Sequence, residues 1–183
     1  IYGSGDEEGE RFGYFCRAVL EALVHIGFQP DLIHCNDWQT GMIPALLKTH
    51  YRDNEFYKDI RTVYTIHNLR YQGIWDKQAD GDVFGLPDSY FTSDKLEYKG
   101  DINVLKGGLV YADLITTVSD TYAHEIQTSE YGEGLDGLLR ARSHQLYGIV
   151  NGLSYKQYNP STDEMIYKRY NRRDFVSGKK FNK

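Results

Sequence analysis

Four short stretches carry the residue types that could do chemistry: Asp37-Trp38, His67-Asn68, Ser119 and Asn151-Gly152. An acid, an imidazole, two amides and an indole suit a polyhydroxylated ligand. Hydroxyl groups need dense hydrogen bonding, and the C–H faces of a sugar ring stack on aromatic rings. Each residue also has a plain structural reading: Asp37 as the N-cap of the helix after it, His67 as a hydrogen-bonded core histidine, Asn151-Gly152 as a turn. What sets the group apart is position, because each stretch directly follows a short apolar run.

Other chemistries find little support. No G-x-S-x-G elbow occurs, and neither Cys16 nor Cys35 stands near a histidine in a known nucleophile signature. The cysteines form no C-x-x-C pair and no H-x-x-x-H occurs, so neither a metal site nor a disulfide is expected. No G-x-G-x-x-G follows a strand, which removes the dinucleotide fingerprint. Paired carboxylates acting as in hydrolases would need a partner beyond this chain.

The elements that must position these residues follow from periodicity. Apolar residues at helical spacing predict a helix from Glu10 to His25, after a polar, glycine-rich loop over residues 1–9. Short apolar runs predict strands at Leu32–Cys35, Arg61–Ile66, Leu114–Val118 and Leu146–Val150. Helices are predicted over Met42–His50, Tyr98–Ala112, Thr121–Thr128 (capped by Ser119) and Leu135–Ser143. Pro87–Phe91 reads as one helical turn, Leu69–Leu86 as loop, and Asp163–Tyr170 as a helix before a linker-like end. Strands that are continuous apolar runs alternating with helices predict an α/β fold, a Rossmann-like parallel sheet with helices on both faces. In such sheets ligands bind beyond the carboxyl ends of the strands, where all four stretches fall.

Composition narrows the partners. The chain has 183 residues, 40% hydrophobic and 26% charged, with a net charge of -5, so no polyanion is expected to bind. No basic run interleaves with aromatics, which argues against nucleic acid, and no apolar run is long enough to cross a bilayer. Two cysteines without a pairing pattern fit a reducing compartment. The 16 tyrosines suit either sugar-stacking surfaces or wet interfaces. The start at Ile1 and the end SGKKFNK read as a piece cut from a longer protein.

Five collinear segments, DLIHCNDWQTG, TVYTIHNLRYQG, LKGGLVYADLITTVSDTYAHEI, YGEGLDGLL and LYGIVNG, closely resemble the bacterial glycogen synthase and plant starch synthase family of glycosyltransferases. The resemblance implies a retaining two-domain GT-B enzyme with Rossmann-like halves and a cleft between them. Residues 1–160 would be a partial N-terminal domain and 161–183 the start of the interdomain linker, with the first strands and the C-terminal domain absent. It implies glucose transfer from ADP-glucose (UDP-glucose in some relatives) to the non-reducing end of an α-1,4-glucan, with no cofactor beyond the nucleotide-sugar donor and a cytoplasmic location, or a plastid in a plant. By position, His67 and Asp37 would hold the donor glucose. Trp38, Asn68 and Asn151 would be neighbours of that pocket, and Tyr2 would match an active-site tyrosine. Lys106-Gly107-Gly108-Leu109 resembles the family's K-x-G-G-L phosphate signature, but it is one residue short and precedes a strand instead of following one. Its glycines are therefore read as permitting close helix packing, and the signature itself is expected upstream of Ile1. Ser154 stands where the family usually has aspartate. The chain alone is expected to be inactive. A non-catalytic glucan-binding module of the same fold, or a sucrose-forming relative, are the competing readings.

Overall fold

The computed structural model describes residues 5–77 and 83–182. In chain order the elements are α1 (Gly5–His25), β1 (Leu32–Asn36), α2 (Met42–Lys48), β2 (Arg61–Ile66), β3 (Ile74–Trp75), β4 (Glu97–Tyr98), β5 (Asp101–Asn103), α3 (Val104–Tyr111), β6 (Leu114–Thr117), α4 (Asp120–Glu125), α5 (Asp136–Ala141), β7 (Leu146–Gly148) and α6 (Phe175–Phe181). Tyr2 lies outside the described residues. Two compact units divide the chain, Ile1–Val150 and Asn151–Lys183. The sequence pattern sets that boundary later, at 160.

In the first unit, β1, β2, β6 and β7 form a parallel sheet in the order β1-β2-β6-β7. The apolar runs of the two central strands, β2 and β6, are largely buried, whereas edge strand β1 buries only Cys35 and β7 only Leu146; each fully buried Leu or Ile contributes roughly 1.5–3 kcal/mol. Leu20 of α1, Leu46 of α2 and Leu105 and Leu109 of α3 join Tyr64, Ile66 and Ile115 of the sheet in one core. The register pairs Asn36 with Thr65 and Ile66 with Thr117, so β1, β2 and β6 reach a common carboxyl edge.

Three departures from the sequence pattern have local causes. The first nine residues read as a loop, yet α1 already begins at Gly5. The stretch Tyr98–Ala112 reads as one helix, yet it holds a strand pair and only then a helix. Lys99 (φ 57°) and Gly100 (φ 94°) form the two-residue turn between β4 and β5, and left-handed backbone at both positions is what a tight antiparallel hairpin requires. The helix starts at Val104 because the Asn103 side chain accepts from the Lys106 backbone N–H at 2.8 Å. The predicted loop after Leu69 contains β3, which pairs antiparallel with β5 to build a second, three-stranded sheet. Close packing then explains the glycines of α3. A Cβ on Gly108 would sit 2.4 Å from the Tyr64 ring. Lys106 is itself buried, its ammonium donating to the carbonyls of Ser93 (2.6 Å) and Glu97 (2.5 Å).

In the second unit, the stretch expected to be helical over Asp163–Tyr170 consists of turns and bends, and the helix lies later, at α6. Its Gly178 packs on the Tyr170 ring, and the Asn182 side chain pairs with the Lys168 backbone, accepting at 3.0 Å and donating at 2.7 Å. Among the described residues no helix is long and apolar enough to cross a membrane.

Candidate active site

Asp37 is the first residue after β1, and its backbone is strained. Its φ of 54° and ψ of -177° fall in a region that only glycine occupies comfortably, a conformation costing about 1–3 kcal/mol. The surroundings over-determine it. The Asp37 N–H donates to Thr65 O on β2 (2.9 Å), and its own carbonyl accepts from the Thr40 N–H (3.2 Å) and hydroxyl (3.2 Å). The strain aims the carboxylate across the top of the sheet. Oδ1 accepts from the backbone N–H groups of His67 (2.8 Å) and Asn68 (3.3 Å). The aspartate does not cap the helical turn that follows it. It ties the end of β1 to the turn after β2.

His67 is exposed, and its Nε2 lies 2.9 Å from Oδ1 of Asn36, the last residue of β1. With Nε2 donating to that amide oxygen, Nδ1 is the nitrogen left to accept. Asn68 accepts from the Arg70 N–H with its side-chain oxygen (3.1 Å), closing a local turn and leaving its NH2 group for other partners. Leu69 is buried, its N–H donating to the Tyr122 hydroxyl of α4 at 3.3 Å. Gln72 and Gly73 then give their carbonyls to the Leu105 and Val104 N–H groups at the start of α3. The Gln72 side chain bridges Asn103 (2.6 Å) and Glu133 O (3.0 Å). The turn carrying His67 and Asn68 is therefore pinned at both ends.

Trp38 is only 6% exposed. Its ring packs edge-on against Phe12 (4.9 Å) and Trp75 (5.5 Å), and Gly73 has no room for a Cβ, which would stand 2.6 Å from the indole. It forms a wall rather than a stacking platform. The exposed ring is Tyr71, at 64%. Glu8, Asp37, Trp38, Gln39, Asn68 and Tyr71 line a hollow of about 490 Å³, a size that suits a small ligand.

Of the residues singled out in the sequence, Asp37, Trp38 and Asn68 meet in this hollow, and His67 stands at its edge through the Asp37 bond. Ser119 caps α4, accepting from the Tyr122 N–H at 3.0 Å. Asn151 is exposed and begins the second unit. Glu8, Asn36, Gln39 and Tyr71 are residues the sequence pattern did not single out. Asn36 and Tyr71 lie inside the conspicuous segments but have no distinguishing spacing, and Glu8 lies in a stretch that reads as loop. Among the described residues no group of three or more His, Cys, Asp or Glu side chains could hold a metal ion.

Residues 1–141 match the starch synthase catalytic domain. The chain belongs to that family. It is 58% identical to a glycogen synthase of Lachnospira eligens over 97% of its length, and 53% identical to one of Lachnoclostridium phytofermentans over 100%. The chain spans 37% and 38% of the length of these two relatives. Among solved structures, the catalytic domain of Arabidopsis thaliana starch synthase IV, bound to ADP and acarbose, superposes with a TM-score of 0.80 at 35% identity, covering 93% of this chain and 35% of that one. The parallel sheet of this starch synthase-family chain is thus the Rossmann-like α/β half that the alternating elements predict, and the hollow sits at its carboxyl edge.

Proposed function

We propose that this chain is the N-terminal part of a two-domain glycogen synthase that transfers glucose from ADP-glucose to the non-reducing end of an α-1,4-glucan with retention of configuration. The observation that carries the reading is the hollow itself. Carboxylate, amide and tyrosine groups converge at one sheet edge, in a chain 53–58% identical to glycogen synthases over nearly its full length. The glucose of the donor and the glucan acceptor are neutral, hydroxyl-rich and flat-faced, and these groups match them.

Asp37 offers its carboxylate to a sugar hydroxyl while Oδ1 keeps the His67 turn in place. His67, its Nε2 engaged by Asn36, accepts from a hydroxyl through Nδ1, and Asn68 donates through its NH2 group. Retaining transfer builds positive charge on the anomeric carbon while a diphosphate leaves, and pre-organised groups stabilise that charge separation. None of the described residues lining the hollow is cationic, so the groups facing the diphosphate come from the rest of the enzyme. By the family resemblance alone, Asn151 and Tyr2 are further candidates for contacting the donor. The bacterial relatives favour a cytoplasmic enzyme.

The test is glucose incorporation into glycogen by the full-length protein, supplied separately with ADP-glucose and UDP-glucose. Incorporation from ADP-glucose is expected. No incorporation from either donor overturns the enzyme reading, and retained glycogen binding in that case favours a non-catalytic glucan-binding module.

A further inference from the structure

Glu8 presents an anomaly. Its side chain is only 14% exposed, and Oε1 is buried without a hydrogen-bond partner. Arg11 stands one helical turn away with its guanidinium 3.5 Å from Oε1, near enough to offset charge but beyond ordinary hydrogen-bond length. A buried carboxylate oxygen lacking a donor is unfavourable and rare in folded proteins. The apolar face of that helix is carried by Phe12, Cys16, Val19, Leu20 and Leu23.

Glu8 also lines the 490 Å³ hollow, together with Asp37, Gln39, Asn68 and the exposed Tyr71 ring. Arg11 offsets the charge of Glu8, and Asp37 adds a second carboxylate with no cation among the described lining residues. The same groups attract hydroxyl donors, because an ionised carboxylate is an acceptor only and its hydrogen bonds are the stronger kind. A sugar hydroxyl can donate to the Glu8 oxygen, whereas an ionised diphosphate has no proton to give it; with Asp37 and Asn68 assigned to the donor glucose, the hydroxyls left for Glu8 are those of the acceptor.

We infer that Glu8 is a specificity-determining residue for the glucan: its carboxylate accepts hydrogen bonds from hydroxyl groups of the terminal glucose of the acceptor chain, which lies against Tyr71. The inference rests on the hollow being a sugar site, as proposed above. It goes further in dividing the hollow's chemistry, with Glu8 recognising the neutral acceptor and not the charged donor.

Full-length Glu8→Ala and Glu8→Gln variants test it. Maltoheptaose affinity is measured by titration calorimetry, KM is measured separately for maltoheptaose and ADP-glucose, and the thermal midpoint is recorded. Loss of hydrogen bonds to a charged acceptor predicts a maltoheptaose Kd and KM raised about tenfold or more in Glu8→Ala. Glu8→Gln, which keeps one acceptor oxygen, should lie between it and wild type. The ADP-glucose KM should stay within twofold, and the thermal midpoint should not fall. Unchanged maltoheptaose affinity and KM overturn the inference. So does a parallel rise in both KM values with a lowered midpoint, because that marks a structural role. If the wild type binds maltoheptaose without transferring glucose, the transferase reading fails while the calorimetric comparison still decides Glu8. If it binds no maltoheptaose, both fail.

Discussion

At the scale of single residues, Asp37 shows how strain and function separate. A non-glycine residue at φ 54° and ψ -177° persists because the Thr65 carbonyl, the Thr40 side chain and the two N–H groups of the His67 turn all hold it. Asparagine at this position would be equally strained and would still offer an oxygen to His67 N–H. It would lack the charge that strengthens a bond to a sugar hydroxyl. Full-length Asp37→Asn should therefore unfold within about 1 kcal/mol of wild type, because the tie between strands survives. Its kcat/KM for glucan synthesis should drop about ten- to a hundredfold, the loss expected when one charge-assisted bond present in the transition state becomes neutral. Urea unfolding alongside initial-rate kinetics reads both numbers. Wild-type kcat/KM would reduce Asp37 to a structural fastener. The residue-scale chemistry was only partly legible beforehand. Asp37, His67 and Asn68 declare themselves by type and by following apolar runs. Asn36 and Tyr71 acquire meaning only once β1 and β2 are side by side, because the Asn36–His67 contact joins residues far apart in the chain. Trp38 looked like a stacking surface because indoles often are, and only the neighbouring Phe12 and Trp75 rings reveal it as a wall.

At the scale of elements, the four sheet strands could be read directly, since a buried parallel strand is a short continuous apolar run. The small antiparallel sheet could not. β3 and β4 are two residues each, too short to establish an alternation, and the spacing of Ile102, Leu105 and Leu109 continues a helical period through β5. The decisive signals were Lys99-Gly100 as a tight turn and Asn103 as a cap, both local and both outweighed by the longer periodicity. Asp113, between α3 and β6, is a second device of this scale. Its carboxylate accepts from Lys48 of α2 (3.0 Å), from the Thr62 N–H (2.8 Å) and from the Thr62 hydroxyl (3.1 Å) of β2. Burial works to raise its pKa, but the Lys48 and Thr62 hydrogen bonds and the Lys48 charge together hold it below the usual carboxylate value. A carboxyl whose pKa is depressed by folding stabilises the native state above its unfolded value, near 4, and that stability is lost as pH falls through the folded value. Asp113→Asn should thus cost about 1–2 kcal/mol at pH 7, and the gap should close as pH falls through the depressed folded value and the wild-type carboxylate becomes protonated in both states. Urea titrations at several pH values measure it. A gap independent of pH would assign the loss to packing.

At the scale of the whole molecule, the first unit is knit by a core in which α1 and β1 each contribute a cysteine. Cys16 and Cys35 are both about 1% exposed, and burial pushes each thiol up to about 12, with Cys16 adding to the effect at Cys35. The thiolate is the species that attacks a disulfide reagent, so at pH 8 the native thiols are both shielded and protonated. Labelling therefore requires an opening reaction, and its rate reports which part of the molecule opens. β1 lies at one edge of the four-stranded sheet, yet it is joined to β2 along its whole length and to the His67 turn through Asp37. α1 is fastened by the Tyr57 hydroxyl, which donates to Leu20 O at 2.9 Å, and by the Tyr51 hydroxyl, which donates to Glu21 at 2.5 Å. The Tyr51 and Tyr57 ties hold α1 to the connection between α2 and β2, and Cys16 Sγ itself donates to Gln39 O just beyond β1 at 3.3 Å, so α1 and β1 should open together. Both thiols should react with a disulfide reagent at one common rate, with the urea dependence of global unfolding. If the hollow takes the glucan as proposed, maltoheptaose should slow both equally. Mass spectrometry of the labelled peptides distinguishes the sites. Rapid labelling of Cys16 while Cys35 stays protected would mean that α1 peels away from the sheet independently, and the ties through Tyr51 and Tyr57 would then be too weak to couple the helix to the core.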